Sequence, residues 1–387
     1  MKKSIILIMP LLILGACVIN QSEKQQDVPV IKLRYDETKT VKMSDFVKSN
    51  NVILLDDTDE TYIGNISKID IVDSLIVVTD ISTHAVLIYN FEGKLMNSIK
   101  KHGRGPEEFL SIQSTWVNPD TKEISIYDRS QHKILFFNLN GDFVRQMRSP
   151  PYICAFAFNS DEYSYFYRSM DGFPDDNMQP SNFHLLMTSR DSLRLDMKRD
   201  FFMDNASHMP YERFCRSKNA ILLLTPQEQS IYELSGMTKK LKYRVELAPN
   251  PDWENENYRS IKTYQDFRDR KNTRMGNLGG LYFMASDRYM LFTFGKRRTS
   301  DVSDQFYAIY DMEKDQVKLS FRQKINDIEG FTGFLAPFFF NDSLWITPIH
   351  QYQIDNESLK AAGEYYSIDF SKSINPILVI SKLNFNE

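Results

Sequence analysis

Cysteine is scarce in this chain, because 387 residues contain three cysteines, too few for a disulfide scaffold. An excess of either charge is also lacking, since 47 Lys and Arg residues are balanced by 51 Asp and Glu, which disfavours binding to a nucleic-acid backbone. Fifteen Pro and fifteen Gly exclude collagen-like and low-complexity chains. The common metal and nucleophile motifs are absent, so the sequence predicts no metal site, no cofactor and no catalytic residue.

The longest apolar run lies at the N-terminus. Lys2 and Lys3 precede the apolar segment Ile5 to Leu14, a pattern typical of a signal peptide over residues 1–16. The segment ends in Leu14-Gly15-Ala16-Cys17, which resembles the lipobox of bacterial lipoproteins. We therefore expect Cys17 to carry lipid and to anchor the mature chain to the outer membrane, on its periplasmic or surface-exposed face. The alternative is a plain secretory signal with an incidental cysteine.

The mature chain then divides into two parts. Residues 17–30 are polar and without periodicity, which predicts a flexible tether. Residues 31–387 contain repeated β-type segments, which predict one folded domain.

Two stretches of this domain repeat each other closely. The shared positions are an acidic residue, a histidine, an aromatic residue, an asparagine and a glycine, found as Asp80, His84, Tyr89, Asn90 and Gly93 and again as Asp128, His132, Phe137, Asn138 and Gly141. β-Branched runs separated by tight polar turns predict strand, turn, strand, turn, strand in each copy. A repeat of this length is typical of a propeller blade with four strands.

Looser copies continue to the C-terminus and bring the count to six blades. The sixth copy comprises Ser343 to Ile349, Tyr365 to Phe370 and Ile377 to Leu383. The sequence thus predicts an all-β, six-bladed β-propeller. Propellers close by pairing strands from both ends of the domain, so we expect Val52 to Leu55 to share a blade with Ile377 to Ile380.

One segment has a helical pattern. Between residues 253 and 272, Tyr258, Ile261, Tyr264 and Arg268 follow three- and four-residue spacing, and Asp252 is a suitable N-cap. We expect one helical insertion near residues 253–272, between blades four and five.

The repeated positions resemble the NHL repeat, although Thr83 and Gln131 stand where that repeat has Asn. The segment His102 to Phe109 resembles the Gly-rich linker of a family of bacterial six-bladed β-propeller lipoproteins. This resemblance covers about residues 62–149 and implies an exported envelope protein. It does not imply a particular activity.

Four residues are candidates for a ligand site at the channel mouth, where propeller loops converge. Arg104 and Glu108 lie in the linker, Arg129 stands where the other copy has Ile81, and Trp116 lies in a predicted innermost strand. Arg104 would pair with a ligand carboxylate, and Trp116 would offer a flat apolar face. The alternative is structural: Arg104 pairs with Glu107 or Glu108, and Trp116 packs between blades.

Two functions remain open. The favoured one is a binding or scaffold propeller for a glycan, a peptide or a partner protein. The other is a propeller enzyme, a glycoside or lactone hydrolase or lyase, with its site in the central channel. Three carboxylates or arginines converging in the channel would favour the enzyme, and a lining of Tyr, Phe and amides would favour binding. We also expect Cys154 and Cys215, in innermost strands of neighbouring blades, to remain unbridged.

Overall fold

A computed structural model describes residues 28–34, 36, 39–58, 61–150, 153–160, 162–168, 183–198, 213–225, 229–248, 278–297, 303–325, 327 and 337–385. Six small sheets form a ring, which confirms the predicted six-bladed β-propeller. The predicted signal peptide, Cys17, most of the tether and the helical insertion near residues 253–272 lie outside the described residues.

Each blade contains four antiparallel strands that follow one another outward from the channel in the same spatial order. Blade 1 contains β4 (Ile66–Val72), β5 (Leu75–Asp80), β6 (Ala85–Asn90) and β7 (Leu95–Ile99). Blade 2 contains β8 (Ser114–Asn118), β9 (Glu123–Asp128), β10 (Lys133–Asn138) and β11 (Phe143–Arg148). Blade 3 contains β12 (Ile153–Phe158), β13 (Ser164–Arg168), β14 (Phe183–Thr188) and β15 (Leu193–Lys198).

The second half of the ring adds strands from the N-terminus. Blade 4 contains β16 (Phe214–Ser217), β17 (Ala220–Thr225), β18 (Ser230–Ser235), β19 (Thr238–Ala248) and, as a fifth strand parallel to β19, β1 (Val30–Arg34). Blade 5 contains β20 (Leu278–Ala285), β21 (Tyr289–Arg297), β22 (Ser303–Asp311) and β23 (Gln316–Phe321). Blade 6 contains β25 (Phe339–Phe340), β26 (Leu344–Ile349), β27 (Ile377–Leu383) and β3 (Val47–Leu54). A further parallel pair joins β2 (Thr40–Lys42) to β24 (Gln323–Ile325).

The ring closes as predicted. In blade 6, β3 pairs antiparallel with β27, and Val52 lies opposite Val379 while Leu54 lies opposite Ile377. Because the outer strand comes from the start of the domain and its neighbour from the end, both ends are held in one sheet. This arrangement removes the open edge of the ring.

The core lies between neighbouring blades. The middle strands β5 and β6 are buried along nearly their whole length, because each blade is covered on both faces. That covering explains why these strands are continuous apolar runs instead of alternating ones. The outer strand β11 alternates half-buried and exposed residues, as expected at the rim of the disc.

The acidic residue that the two repeats share has a structural role in both of them. The Asp80 carboxylate accepts hydrogen bonds from the backbone N–H groups of Gly64 (2.7 Å), Asn65 (3.1 Å) and Ser82 (2.8 Å), so it ties the linker that precedes blade 1 to the turn that follows β5. Asp128 does the same in blade 2 with Leu110 (2.7 Å). Burial acts to raise the pKa of Asp80, but these hydrogen bonds outweigh it and hold the pKa below its ordinary value.

The repeated glycine connects one blade to the next. Gly93 (φ +83°) and Gly141 (φ +81°) both adopt the left-handed conformation that favours glycine. A Cβ on Gly93 would overlap the carbonyl oxygen of Leu54, in the outer strand of blade 6. On Gly141 it would lie 3.0 Å from the carbonyl oxygen of Ser98, in the outer strand of blade 1.

One segment of blade 6 differs from the sequence-based expectation. The segment Tyr365 to Phe370 was expected to be a strand of blade 6, but helix α1 (Asn356–Tyr366) ends there and a short 3-10 helix (Phe370–Lys372) follows. Asp355 caps α1 by accepting a hydrogen bond from the N–H of Ser358 at 2.8 Å, a helix start that the β-type interpretation overlooked. The third strand of blade 6 is β27, and the fourth is β3.

Candidate functional site

The innermost strands of the blades surround a central channel with two connected cavities. The upper cavity, about 410 Å³, lies where the chain enters these strands, and the lower cavity, about 660 Å³, lies where it leaves them. Both sizes fall in the range of small-molecule sites. Five side chains line both cavities and form a waist between them: Lys68, Trp116, Phe214, Met284 and Phe338.

The upper cavity is walled by rings and rimmed by amides. The side-chain amides come from Asn65, Gln113 and Gln305, and the rings come from Trp116, Phe156, Phe214, Tyr282, Phe283, Tyr307 and Phe338. Burial raises the pKa of Tyr282, an effect that Arg213 opposes, so this phenol stays neutral and can donate or accept a hydrogen bond. The arrangement suits a ligand with a flat apolar body and polar substituents.

Lys68 and Asp70 form an ion pair at the waist. Lys68 Nζ lies 3.3 Å from Asp70 Oδ1, 3.4 Å from the carbonyl oxygen of Thr115 and 5.3 Å from the centre of the Trp116 ring. Burial raises the pKa of Asp70, although Lys68 opposes this effect. Asp70 Oδ2 is buried and has no hydrogen-bond partner among the residues that the structure describes.

The lower cavity has a different lining. Asp70, Asp120, Asp287 and Asp342 contribute carboxylates, and Arg216 pairs with Asp120. This pair links the innermost strand of blade 4 to the turn after the innermost strand of blade 2. Asp287 accepts a hydrogen bond from the N–H of Lys218 at 2.6 Å, so its carboxylate is used in joining blades 4 and 5.

A stacked aromatic pair, half-buried at His350 and exposed at Tyr352, lies near the blade 1 turn. Residues 350–376 connect β26 to β27, and the rings of His350 and Tyr352 stack there with centres 5.1 Å apart. Tyr352 is 81% exposed. Burial lowers the pKa of His350, while the charge of nearby Asp80 opposes the shift.

The structure separates the four site residues predicted from the sequence. Trp116 lies in an innermost strand as expected, is 5% exposed, lines both cavities and donates a hydrogen bond from Nε1 to the carbonyl oxygen of Phe158 (3.1 Å). Arg104, Glu108 and Arg129 line neither cavity. Their role in binding stays a prediction.

Glu108 helps to fold the linker. Its Oε2 accepts a hydrogen bond from the N–H of Gly105 at 2.8 Å, and Gln131 Nε2 donates to the carbonyl oxygens of Gly103 (3.0 Å) and Glu108 (3.3 Å). Arg104 is exposed and pairs with neither Glu107 nor Glu108 in the described part of the chain, where Glu107 pairs with Lys101 at 3.0 Å. The linker is therefore a folded turn fixed to blade 2.

Sequence reasoning missed most of the lining. Lys68, Ser114 and Phe214 come from strands in three different blades, Gln113 directly precedes β8, and no local motif connects these residues. The signal in the sequence that could have identified the lining was a polar side chain inside an innermost strand, such as Lys68 in β4. Cys154 and Cys215 were predicted correctly, since they lie in innermost strands and form no disulfide.

Within the described ranges, no three His, Cys, Asp or Glu side chains are grouped so that they could hold a metal ion. No helix in that part of the chain is long and apolar enough to span a membrane.

The chain matches the domain of unknown function DUF4934 over residues 27–382. It belongs to this family. No curated protein matches it.

Among solved structures, a Bacteroides fragilis protein described as exported matches this DUF4934 chain with a TM-score of 0.66 and 17% identity, covering 92% of this chain and 99% of the other. A DUF4221 member from Bacteroides vulgatus matches with a TM-score of 0.48 and 10% identity, covering 90% and 98%. At these identities the likeness concerns the fold alone.

Proposed function

We propose that this DUF4934 protein is an envelope lipoprotein whose propeller binds a glycan, a peptide or a partner protein through its upper cavity. The observation that carries the proposal is the lining of that cavity by seven aromatic residues and three side-chain amides. Its described lining contains one charged side chain, Lys68. The carboxylates of the channel line the lower cavity, where Asp120 pairs with Arg216 and Asp287 accepts a hydrogen bond from the N–H of Lys218, so these two are used in holding blades together. Ring faces and amides can hold a ligand without acting on it as nucleophile, acid or base.

The proposed location has two supports. The N-terminal sequence ending in Cys17 resembles a lipobox, and a protein of similar fold from Bacteroides fragilis is described as exported. Lipid on Cys17 would hold the chain at the outer membrane. Replacing Cys17 with Ser should move the protein from the membrane pellet to the soluble fraction, and unchanged partitioning would contradict the anchor.

The binding role is tested with the soluble form that starts at Val18. A pull-down from envelope extract and from a glycan mixture should recover a ligand with the wild-type chain. Gln305 is exposed, lines the upper cavity and has no side-chain partner in the described residues, so Gln305→Trp should narrow the cavity without unfolding the blade. Gln146→Trp, on the exposed side of β11, is the matched control.

We expect Gln305→Trp to lose the ligand and Gln146→Trp to retain it. Equal recovery by both variants would show that the upper cavity is not the binding site.

A further inference from the structure

All six blades contribute side chains to the upper cavity. Blades 1, 2 and 5 supply side-chain amides, and blades 3, 4 and 6 supply phenylalanine rings. In blade order from 1 to 6, these residues are Asn65, Gln113, Phe156, Phe214, Gln305 and Phe338. Amides and rings therefore surround the same central space, and a ligand there would contact both.

The one charged side chain in the described lining already has partners. Lys68 Nζ lies 3.3 Å from Asp70 Oδ1, 3.4 Å from the carbonyl oxygen of Thr115 and 5.3 Å from the centre of the Trp116 ring. A charged ligand group would lose its water in this cavity and would find an opposite charge that is already paired, which is costly. The lining therefore favours a ligand that is uncharged where it is bound.

Four polar side chains of the lining are available for hydrogen bonds. The amides of Asn65, Gln113 and Gln305 make no hydrogen bond within the described chain, and neither does the phenol of Tyr282. All four residues keep accessible surface. Each amide offers two N–H donors and one carbonyl acceptor, and the phenol both donates and accepts. Hydroxyl groups suit such a set, because a hydroxyl is neutral and also both donates and accepts.

Two rings of the lining keep accessible surface beside these polar groups. Tyr282 in β20 and Phe338 directly before β25 are half-buried, whereas the other five aromatic residues of the lining are at most 5% exposed. A flat apolar surface on the ligand would pack against these two rings.

A sugar ring meets both requirements. Its C–H groups form an apolar face, and its hydroxyl groups project from the edge, so rings and amides are satisfied together. A purely apolar group, such as the aromatic side chain of a peptide, would cover the rings but would take water from the amides without replacing its hydrogen bonds. The space of about 410 Å³ lies in the size range of small-molecule sites.

We infer that the upper cavity binds an uncharged sugar ring. The apolar face of the sugar would pack on Tyr282 and Phe338, and its hydroxyl groups would bond to the amides of Asn65, Gln113 and Gln305. This inference rests on the proposed function and selects the glycan among its three ligand classes. Charged groups on the rest of such a glycan would remain outside the cavity, in solvent.

The test is isothermal titration calorimetry with the soluble form that starts at Val18. The neutral probes are the methyl glycosides of glucose, galactose, mannose and N-acetylglucosamine. We expect at least one of them to bind with a millimolar or lower Kd. The uronate and the 2-amino sugar of the same ring should bind roughly tenfold or more weakly, because each brings a charge into the cavity. N-acetylphenylalanine amide represents the peptide alternative and should also bind more weakly.

Gln305→Leu separates a sugar from an apolar ligand, since it removes the amide and keeps a side chain of similar size. The affinity for the sugar should fall roughly two- to tenfold, the value of one hydrogen bond between neutral groups. Gln113→Leu and Tyr282→Phe should act in the same direction. An apolar ligand would bind the leucine variants equally well or more tightly. Gln146→Leu is the matched control, because Gln146 lies exposed on β11 and lines neither cavity.

Four results would overturn the inference. These are no binding of any neutral sugar at tens of millimolar, charged sugars that bind as tightly as the neutral one, sugar binding that none of the three variants weakens, or a peptide probe that binds more tightly than every sugar. The proposed function is judged separately by the pull-down with Gln305→Trp. If that variant loses a recovered ligand while the sugars fail, only the ligand class is wrong.

Discussion

The connection between the second and third strands has a different structure in blade 1 and in blade 6. In blade 1 the link from the second to the third strand is a tight turn, and the Asp80 carboxylate binds its N–H groups. In blade 6 this link is residues 350–376, which contain α1 and leave Tyr352, Tyr365 and Ile374 exposed. The first solution uses its polar groups internally, whereas the second presents side chains to solvent. Positions that follow the repeat hold the blades together, and the departure from it in blade 6 leaves large side chains exposed.

The largest effect is expected from the strand that follows the long connection in blade 6. Deleting the residues after Ser373 removes β27, in which Ile377, Leu378 and Val379 are fully buried, and leaves β3 without its partner. The ring would then be open, so we expect loss of the cooperative unfolding transition of the whole domain. Differential scanning calorimetry measures this.

A chain ending at Phe385 is the matched control, because it keeps β27 and the buried Phe385 ring. A sharp, near-native transition in the shorter chain would show that the blades fold independently of closure.

The next largest loss of stability is expected from substitution of the repeated glycine, which lies against the outer strand of the preceding blade. Gly93→Ala should lower the free energy of unfolding by roughly 3 kcal/mol, since it combines a left-handed backbone with an overlap on the Leu54 carbonyl. Gly141→Ala meets a carbonyl at 3.0 Å and should cost roughly 1 to 2 kcal/mol. Urea denaturation compares the two variants. A cost for Gly141→Ala equal to or above that of Gly93→Ala would contradict the account of contact between blades.

The acidic residue of the turn has a pH-dependent effect. Asp80→Ala should lower the free energy of unfolding by roughly 2 kcal/mol at neutral pH, because several hydrogen bonds to a carboxylate are lost. The folded pKa of Asp80 lies below the unfolded value of about 3.9, so its contribution is complete above that pH and is lost as the pH falls through the folded pKa.

The difference between wild type and Asp80→Ala should therefore be constant from about pH 7 to 5 and shrink below about pH 4. Asp191→Ala, at an exposed turn of blade 3, is the control and should change stability little. If the difference for Asp80→Ala grows in acid, the carboxylate does not stabilise the turn.

The sequence predicted the parts of the fold that depend on local pattern. Apolar runs and repeated Asp and Gly positions indicated blades, and the two terminal runs indicated closure. The sheet partners of β1 and β2 were not predictable, because these strands pair with β19 and β24, which are far away in the sequence and are brought next to them only by folding. The α1 segment was mistaken for a strand because Tyr365 to Phe370 is rich in aromatic residues. The channel lining was missed because each blade contributes only a few residues, which converge only after folding.

The smallest effect on stability is expected in the linker between blades 1 and 2. Arg104 and Arg129 are exposed and their side chains make no hydrogen bond or ion pair in the described part of the chain, so Arg104→Ala/Arg129→Ala should leave the melting temperature unchanged. We propose that these cations attract an anionic ligand from outside the cavity. The double variant should then bind a ligand recovered by pull-down with an affinity that is lower by roughly threefold or less. Added salt should suppress this difference in affinity between the variant and the wild type. Unchanged affinity would exclude both residues from the site. A lower melting temperature with unchanged affinity would show instead that their role is structural.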